Sequence, residues 1–267
     1  SSMRLDSAGL VLGLDHVTLV VAALDDAVAA YAALFGQPCA RRGRESGVDW
    51  ARFALANTAL VLVAPCGTPD GPAAHVTGTA AGSIAALAFA TADPGGTARL
   101  LERRSLPAAG PALPWLGRMA VPLAPDAARG LRLLLTEPGP DAQSAVRLDH
   151  LVIRSGDPER TLALLGGRLG LDLRLDRSNP EWGSRLLFFR CGDLVLEVSH
   201  ALAEGINDAP DSPWGMTWGV TDVAAQHAQL EAAGFPVSPL RTGRKPGTRI
   251  FTVRGNTAGV PTAFIGA

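Results

Sequence analysis

Two residues in this sequence are of types that do chemistry together and sit in similar settings. His150 opens an apolar run, "LDHLVIRS" (148–155), and Glu197 interrupts another, "LVLEVSH" (194–200). An imidazole and a carboxylate can clamp a divalent metal ion, or work as an acid–base pair near neutral pH. A carboxylate on a strand otherwise made of Leu and Val is costly to bury unless it is used or paired. Strand alternation puts Leu194, Leu196 and Val198 on one face and Val195, Glu197 and Ser199 on the other. The same parity turns His200 away from Glu197. His16, in "LGLDHVTLVV" (12–21), is a weaker candidate, because it has no matching carboxylate. His75 is expected in a loop and His227 in a helix, each structural or solvated.

Three further groups could contact a ligand. "PLRTGRKPGTRIFTVRG" (239–255) gathers Arg241, Arg244, Lys245 and Arg249 around a Gly/Pro turn, where guanidinium forks could grip a carboxylate or phosphate. Trp182 lies in "SNPEWGSR" (178–185), with Arg185 close behind it. Parity puts Arg185 and Phe189 on one face and Arg190 on the other. In "SPWGMTWG" (212–219), Trp214, Met216 and Trp218 alternate, which predicts an apolar wall suited to a flat organic ligand.

These residues are carried by a chain that repeats itself. "LDHVTLVVAALDDAVAAYAALFG" (14–36) matches "LDHLVIRSGDPERTLALLGGRLG" (148–170) in plan: strand, acidic cap, helix, glycine stop. "DWARFALANTALVLVAP" (49–65) matches "EWGSRLLFFRCGDLVLEVSH" (181–200) as two strands around a turn. "SIAALAFATADPGGTARLLERRSLP" (83–107) resembles "GMTWGVTDVAAQHAQLEAAGFP" (215–236), with Asp93 and Asp222 at equivalent places. Asp93-Pro94 and Asp157-Pro158 read as a helix cap followed by proline at the first helical position. Val28, Tyr31, Ala32 and Phe35 recur at helical spacing. Gly36, Gly170 and Gly234 follow helices, where glycine most easily turns left-handed. The result is four strand–helix–strand–strand–strand units in two pairs, joined by a Pro/Gly-rich linker at 136–146. Loops at 66–82 and 201–213 separate the units within each pair.

Composition narrows the function classes. Of 267 residues, 47% are hydrophobic and 18% charged, enough for a substantial core, and with 5% aromatics that core is aliphatic. Lys+Arg total 24 and Asp+Glu 25, so neither a nucleic-acid nor a membrane-surface partner is expected. No apolar run approaches the ~20 residues of a membrane span. Cys39, Cys66 and Cys191 are scattered and odd in number, which points to free thiols in a reducing cytoplasm. "SSM" at 1–3 reads as an expression remnant, and no export signal follows it.

The paired units, with "LDH" opening units one and three and "LVLEV" closing unit three, resemble the vicinal oxygen chelate superfamily: glyoxalase I, bleomycin-resistance proteins and type I extradiol dioxygenases. The resemblance implies an α+β fold of four tandem βαβββ modules forming two paired glyoxalase-like domains, at 11–138 and 147–267. It also implies a cup per pair, holding one divalent metal (Fe, Mn, Ni or Zn) between a His on the first strand and a Glu on the last strand of participating units. Mapped onto this sequence, those places fall at His16 and Leu62, Leu87 and Leu134, His150 and Glu197, and Met216 and Ala263. Only the third unit keeps both types. The functional cup is therefore expected in 147–267, with His150 and Glu197 as catalytic residues and metal ligands. Trp182, Arg185, Trp214, Met216, Trp218, Arg244, Lys245 and Arg249 would be its substrate contacts. The implied activity is a metal-dependent isomerase or lyase acting on a small carboxylated or aromatic substrate. Extradiol dioxygenase chemistry is disfavoured, since it needs two His and one carboxylate on iron. The alternative is a metal-free protein that sequesters a small molecule. Either a monomer with an internal pseudo-dimer or a homodimer is compatible.

Overall fold

The computed structural model describes residues 9–267; the reading of "SSM" lies outside them. The first half runs β1 (Gly13–Val20), α1 (Leu24–Phe35), β2 (Arg41–Glu45), β3 (Val48–Ala54), β4 (Ala59–Pro65), α2 (Gly71–Val76), β5 (Ser83–Ala90), α3 (Pro94–Arg103), β6 (Leu113–Trp115), β7 (Arg118–Pro122) and β8 (Leu133–Thr136). The second runs β9 (Arg147–Arg154), α4 (Pro158–Leu162), β10 (Asp172–Asn179), β11 (Ser184–Cys191), β12 (Leu194–Ala201), β13 (Ser212–Gly219), α5 (Val223–Ala232), β14 (Arg241–Thr242), β15 (Arg249–Val253) and β16 (Thr262–Gly266).

Each half is one mixed eight-stranded sheet. The orders are β2-β3-β4-β1-β5-β8-β7-β6 and β10-β11-β12-β9-β13-β16-β15-β14. Within a unit the first and last strands pair in parallel, as β9 does with β12. The two units of a half meet through their antiparallel first strands, β1 with β5 and β9 with β13. The fold is thus the α+β arrangement of paired βαβββ units that the repeats imply.

Local chemistry fixes the crossovers. Asp93, Asp157 and Asp222 each cap a helix, accepting from the N–H of Gly96 at 3.0 Å, Arg160 at 3.4 Å and Ala225 at 2.9 Å. α1 stops at Gly36, whose φ of +64° favours glycine and whose N–H returns to Ala32 O. The expected loop at 66–82 contains α2. Its His75 is buried, and Nε2–H donates to Leu133 O at 3.0 Å.

The helices and the outer sheet faces form one apolar core shared by both halves. It includes Tyr31, Phe35, Leu62, Leu87, Leu148, Leu151, Phe189, Leu196, Met216, Trp218 and Phe264. Phe35 of α1 meets Trp218 of β13 edge-on at 4.9 Å, and Tyr31 OH donates to Thr257 O at 2.9 Å. The inner face of the first sheet is filled by side chains instead. Val48, Trp50, Val61, Val63, Ala86, Ala88, Trp115 and Leu134 pack there against Ala73 and Val76 of α2. The first cup is therefore plugged by its own chain.

Because Trp218 is fully buried and joins the two halves, Trp218→Ala is expected to cost about 3–5 kcal/mol in urea unfolding. Combined with Phe35→Ala, the loss should fall short of the sum. Additive losses would show that the ring pair does not couple the halves.

Candidate functional site

The site is built on a β-bulge. In β9, Leu148 pairs with Trp218 and His150 with Thr217, so Asp149 is an extra residue on its strand. Two neighbours that would face opposite ways on a regular strand, Asp149 and His150, now both line the cavity inside the second sheet. His150 Nδ1 lies 2.8 Å from Asp149 Oδ2. An ionised carboxylate only accepts, so Nδ1 carries the proton of this bond and Nε2 is the ring nitrogen left outside it. The hydrogen bond from His150 holds the Asp149 carboxyl below the usual carboxylate range, against a smaller upward push from burial.

The cavity measures about 700 Å³. Its apolar walls are Phe188, Val195, Ile250 and Ile265, and its polar groups are Asp149, His150, Glu197, Arg241, Thr242, Arg244 and Lys245. β12 pairs in parallel with β9, Val195 opposite His150 and Glu197 opposite Val152. Glu197 therefore sits one strand over and two residues along from His150, on the same face. Arg244 lies over the Trp182 ring at 4.6 Å, with Arg177 at 5.5 Å. The β10–β11 turn and the β14–β15 loop thus meet at the cup's rim.

Several residues singled out by sequence lie elsewhere. Arg185 is on the opposite face, held by Asp176 at 2.8 Å and Glu159 at 2.7 Å. Arg249 is exposed and absent from the lining; Ile250 takes that side. The predicted Trp214–Met216–Trp218 wall does not exist. Trp214 is an extra residue of β13 between Pro213 and Gly215, which takes it out of the alternation that keeps Met216 and Trp218 on one face. Met216 and Trp218 enter the outer core, and Trp214 is exposed beneath Arg154 at 4.2 Å. The strand pairings also correct the repeat alignment. The counterpart of His150 on β13 is Thr217, and the counterpart of His16 on β5 is Ala88, not Leu87. Thr18 pairs with Val61 as Val152 does with Glu197, so Val61 replaces Leu62 as the partner place of Glu197. His200 faces away, its Nδ1 2.9 Å from Ser155 O. Sequence reasoning missed Asp149, although "LDH" occurs twice; only a bulge makes the Asp and His neighbours.

The first half holds a buried twin of this pair. Asp15 is the bulged residue of β1, and its Oδ2 lies 2.7 Å from His16 Nδ1. Arg118 reaches both Asp15 oxygens, at 2.9 and 2.7 Å, and the Gly139 N–H donates at 3.0 Å. Side-chain exposure is 4% for Asp15 and 3% for His16, against 38% and 25% for Asp149 and His150. The first pair is locked and the second is open. Burial alone would raise the Asp15 carboxyl, but hydrogen bonds from His16 and Arg118 hold it far below the usual range.

Family models match both halves: residues 13–119 and 149–252 each match a model of the Glyoxalase/Bleomycin resistance protein/Dioxygenase superfamily. The chain belongs to that superfamily. A mutant of 4-hydroxymandelate synthase from Streptomyces coelicolor is similar in fold, with a TM-score of 0.71, 12% identity and 96% of this chain and 92% of the other covered. So is the Mn(II)-bound glyoxalase from Novosphingobium aromaticivorans, at 0.68 and 14%, covering 96% and 82%. A halotolerant catechol dioxygenase gives 0.64 and 10%, covering 97% and 87%. No curated protein matches the chain. Structural neighbours in the superfamily thus include a metal-bound enzyme, and the donor set here can be tested against that use. Asp149, His150 and Glu197 face one cavity, yet among the described residues no three His, Cys, Asp or Glu side chains converge to hold a metal ion. The counterpart places on β13 and β16 are Thr217, Ala263 and Ile265, and the two aliphatic ones offer no ligand. This cup does not fit a resident metal.

The Asp15 network gives a signed pH dependence. Its folded pKa is depressed, so its contribution is present above the unfolded value of about 3.9 and is lost as pH falls below it. Asp15→Asn is expected to lower stability at pH 7, with a deficit that shrinks in urea titrations run progressively below about pH 4. Asp149→Asn should follow the same sign with smaller amplitude, because Asp149 is partly solvated. A deficit for Asp15→Asn that stays constant into acid would contradict the assignment.

Proposed function

We propose that the cup of the second half binds a small organic anion, with a carboxylate or similar oxyanion on an apolar body, and transfers a proton on it without a metal. One observation carries the reading. A single cavity of about 700 Å³ joins apolar walls, three loop cations and an Asp–His pair. Arg244 is pre-oriented over Trp182, leaving the guanidinium edge to fork a carboxylate. Arg241 and Lys245 add positive charge, so the loop supplies the countercharge to substrate oxygens that the family's metal supplies elsewhere. Phe188, Val195, Ile250 and Ile265 would take the substrate's body by excluding water.

In this reading His150, its ring held by Asp149, removes or returns a proton, and Glu197 across the cup is the second acid–base group. The chemistry is of isomerase or lyase type, moving a proton beside a carbonyl or carboxylate. The version in which His150 and Glu197 clamp Fe, Mn, Ni or Zn needs a third donor; the Asp149 carboxylate is engaged by His150, and Thr217, Ala263 and Ile265 supply neither carboxylate nor imidazole. The second reading is sequestration without turnover, as in bleomycin-resistance proteins. It is supported by those same replacements, since two acid–base groups alone do not compel catalysis.

Two measurements test this. Elemental analysis of purified protein should give well under one equivalent of Fe, Mn, Ni and Zn; a stoichiometric metal lost in Glu197→Ala would overturn the metal-free reading. In titrations read by Trp fluorescence, an aromatic carboxylate such as benzoate should quench Trp182. Arg244→Ala should weaken that binding about tenfold to a hundredfold, the worth of a charge-assisted hydrogen bond. An unchanged affinity in Arg244→Ala and Lys245→Ala would rule out the cationic loop as the anion grip. Candidate substrates turned over by the wild type but only bound by His150→Gln would separate catalysis from sequestration.

A further inference from the structure

A charge with no ion pair of its own among the described residues lies in the first half, away from the cup just described. Arg52 stands on β3 opposite Val61, half-buried. Its Nε is buried and has no hydrogen-bond partner among the described residues. Burial presses its pKa down, Asp15 pushes it back up, and Arg118 and Arg41 lower it again. The nearby acid is already spent, because Asp15 holds Arg118, His16 and the Gly139 N–H. The guanidinium groups of Arg52 and Arg118 lie side by side against Gly139, where a methyl group would touch both at 3.2 Å. An arginine drawn partly out of water with no acceptor costs stability unless something supplies one.

There is space for that acceptor. A crevice of about 320 Å³ is bounded by Arg52, the β3–β4 turn, linker residues 138–142 and the β11–β12 turn of the second half. Thr58 on its wall is 8% exposed, and its Oγ1 is also buried without a partner among the described residues. Of the wall's acids, Asp15 is saturated, Asp193 lies 3.3 Å from Arg147, and Asp141 is exposed on the linker.

We propose that this crevice binds a small carboxylate, with Arg52 as the fork, the Thr58 hydroxyl as a further donor and Arg118 as a neighbouring positive charge. A planar guanidinium matches a carboxylate with two parallel bonds, and Nε–H is one of the donors it would use. The walls come from both halves and from the linker, so an occupant bridges them and is read in global stability. The site shares no residue with the second-half cup and stands or falls separately from it.

The test uses succinate as probe, against sodium chloride of equal ionic strength. The Arg52 Nε–Hε signal, assigned by its loss in Arg52→Gln, should shift saturably in ¹⁵N NMR. Succinate should also raise the Tm of Arg244→Ala, whose second-half cup has lost its anion fork, but not of Arg244→Ala/Arg52→Gln. Without succinate, Arg52→Gln should be as stable as the wild type or more so, since it removes a desolvated charge. Arg52→Lys, which keeps the charge and loses the fork, should bind at least tenfold more weakly, and it serves if the Gln variant does not fold. Shifts that never saturate, a Tm rise in Arg244→Ala that survives the added Arg52→Gln, or equal binding by Arg52→Lys would each overturn the proposal. So would a ligand-free Arg52→Gln protein that folds but is clearly less stable, because Arg52 would then be structural.

Discussion

One extra residue in a strand organises the second half of this protein. Asp149 has no partner of its own on β13, so the ladder must bulge, and the bulge turns Asp149 and His150 toward the same cavity. Their hydrogen bond sets the tautomer of the imidazole and leaves one ring nitrogen free to act. The neighbouring ladder places Glu197 and Val195 on that face while Leu196 and Val198 close the core behind them. A one-residue change in register would send the acidic group into the apolar core and leucines into the cup.

The same "LDH" word produces the same bulge in the first half, with a different result. There the Asp–His pair is covered by the linker and locked by Arg118, and the cup in front of it is packed with Trp50, Trp115, valines and α2. Burial and the full engagement of Asp15 make the first pair a structural staple, while solvent access leaves the second open to a ligand. Two copies of one local structure have thus diverged through what covers them rather than through their own residues.

The rim of the open cup is made by segments far apart in sequence. Trp182 comes from the β10–β11 turn, and Arg244 and Lys245 from the loop after β14. They meet because the sheet curls until its outer strands converge. An arginine stacked on tryptophan is both ordered and still able to donate from its edge. Ordering the fork before a ligand arrives lowers the entropic cost of binding. With no second histidine or carboxylate on β13 and β16, these cations are the main positive charge available to an anionic group in the cup.

What the sequence by itself determined was set by short-range chemistry. The repeated strand–helix–strand–strand–strand plan, the Asp-Pro caps of α3 and α4, the glycine stop at Gly36 and the shared face of Val195 and Glu197 are readable because capping, turn formation and alternation act over a few residues. Phe35 was likewise placed on the packing face of α1. The tertiary structure decided what alternation cannot express. Bulges moved Asp149 beside His150 and took Trp214 out of alternation, and strand pairing put Met216 and Trp218 in the core and Ala88 rather than Leu87 opposite His16. Pairing across strands put Arg185 on Asp176 and Glu159, and left Arg249 outside the cup. A bulge is a property of two strands in register, and burial is a property of everything packed around them. Neither is carried by any one stretch of chain, which is why the candidate pair could be named from sequence but its surroundings could not.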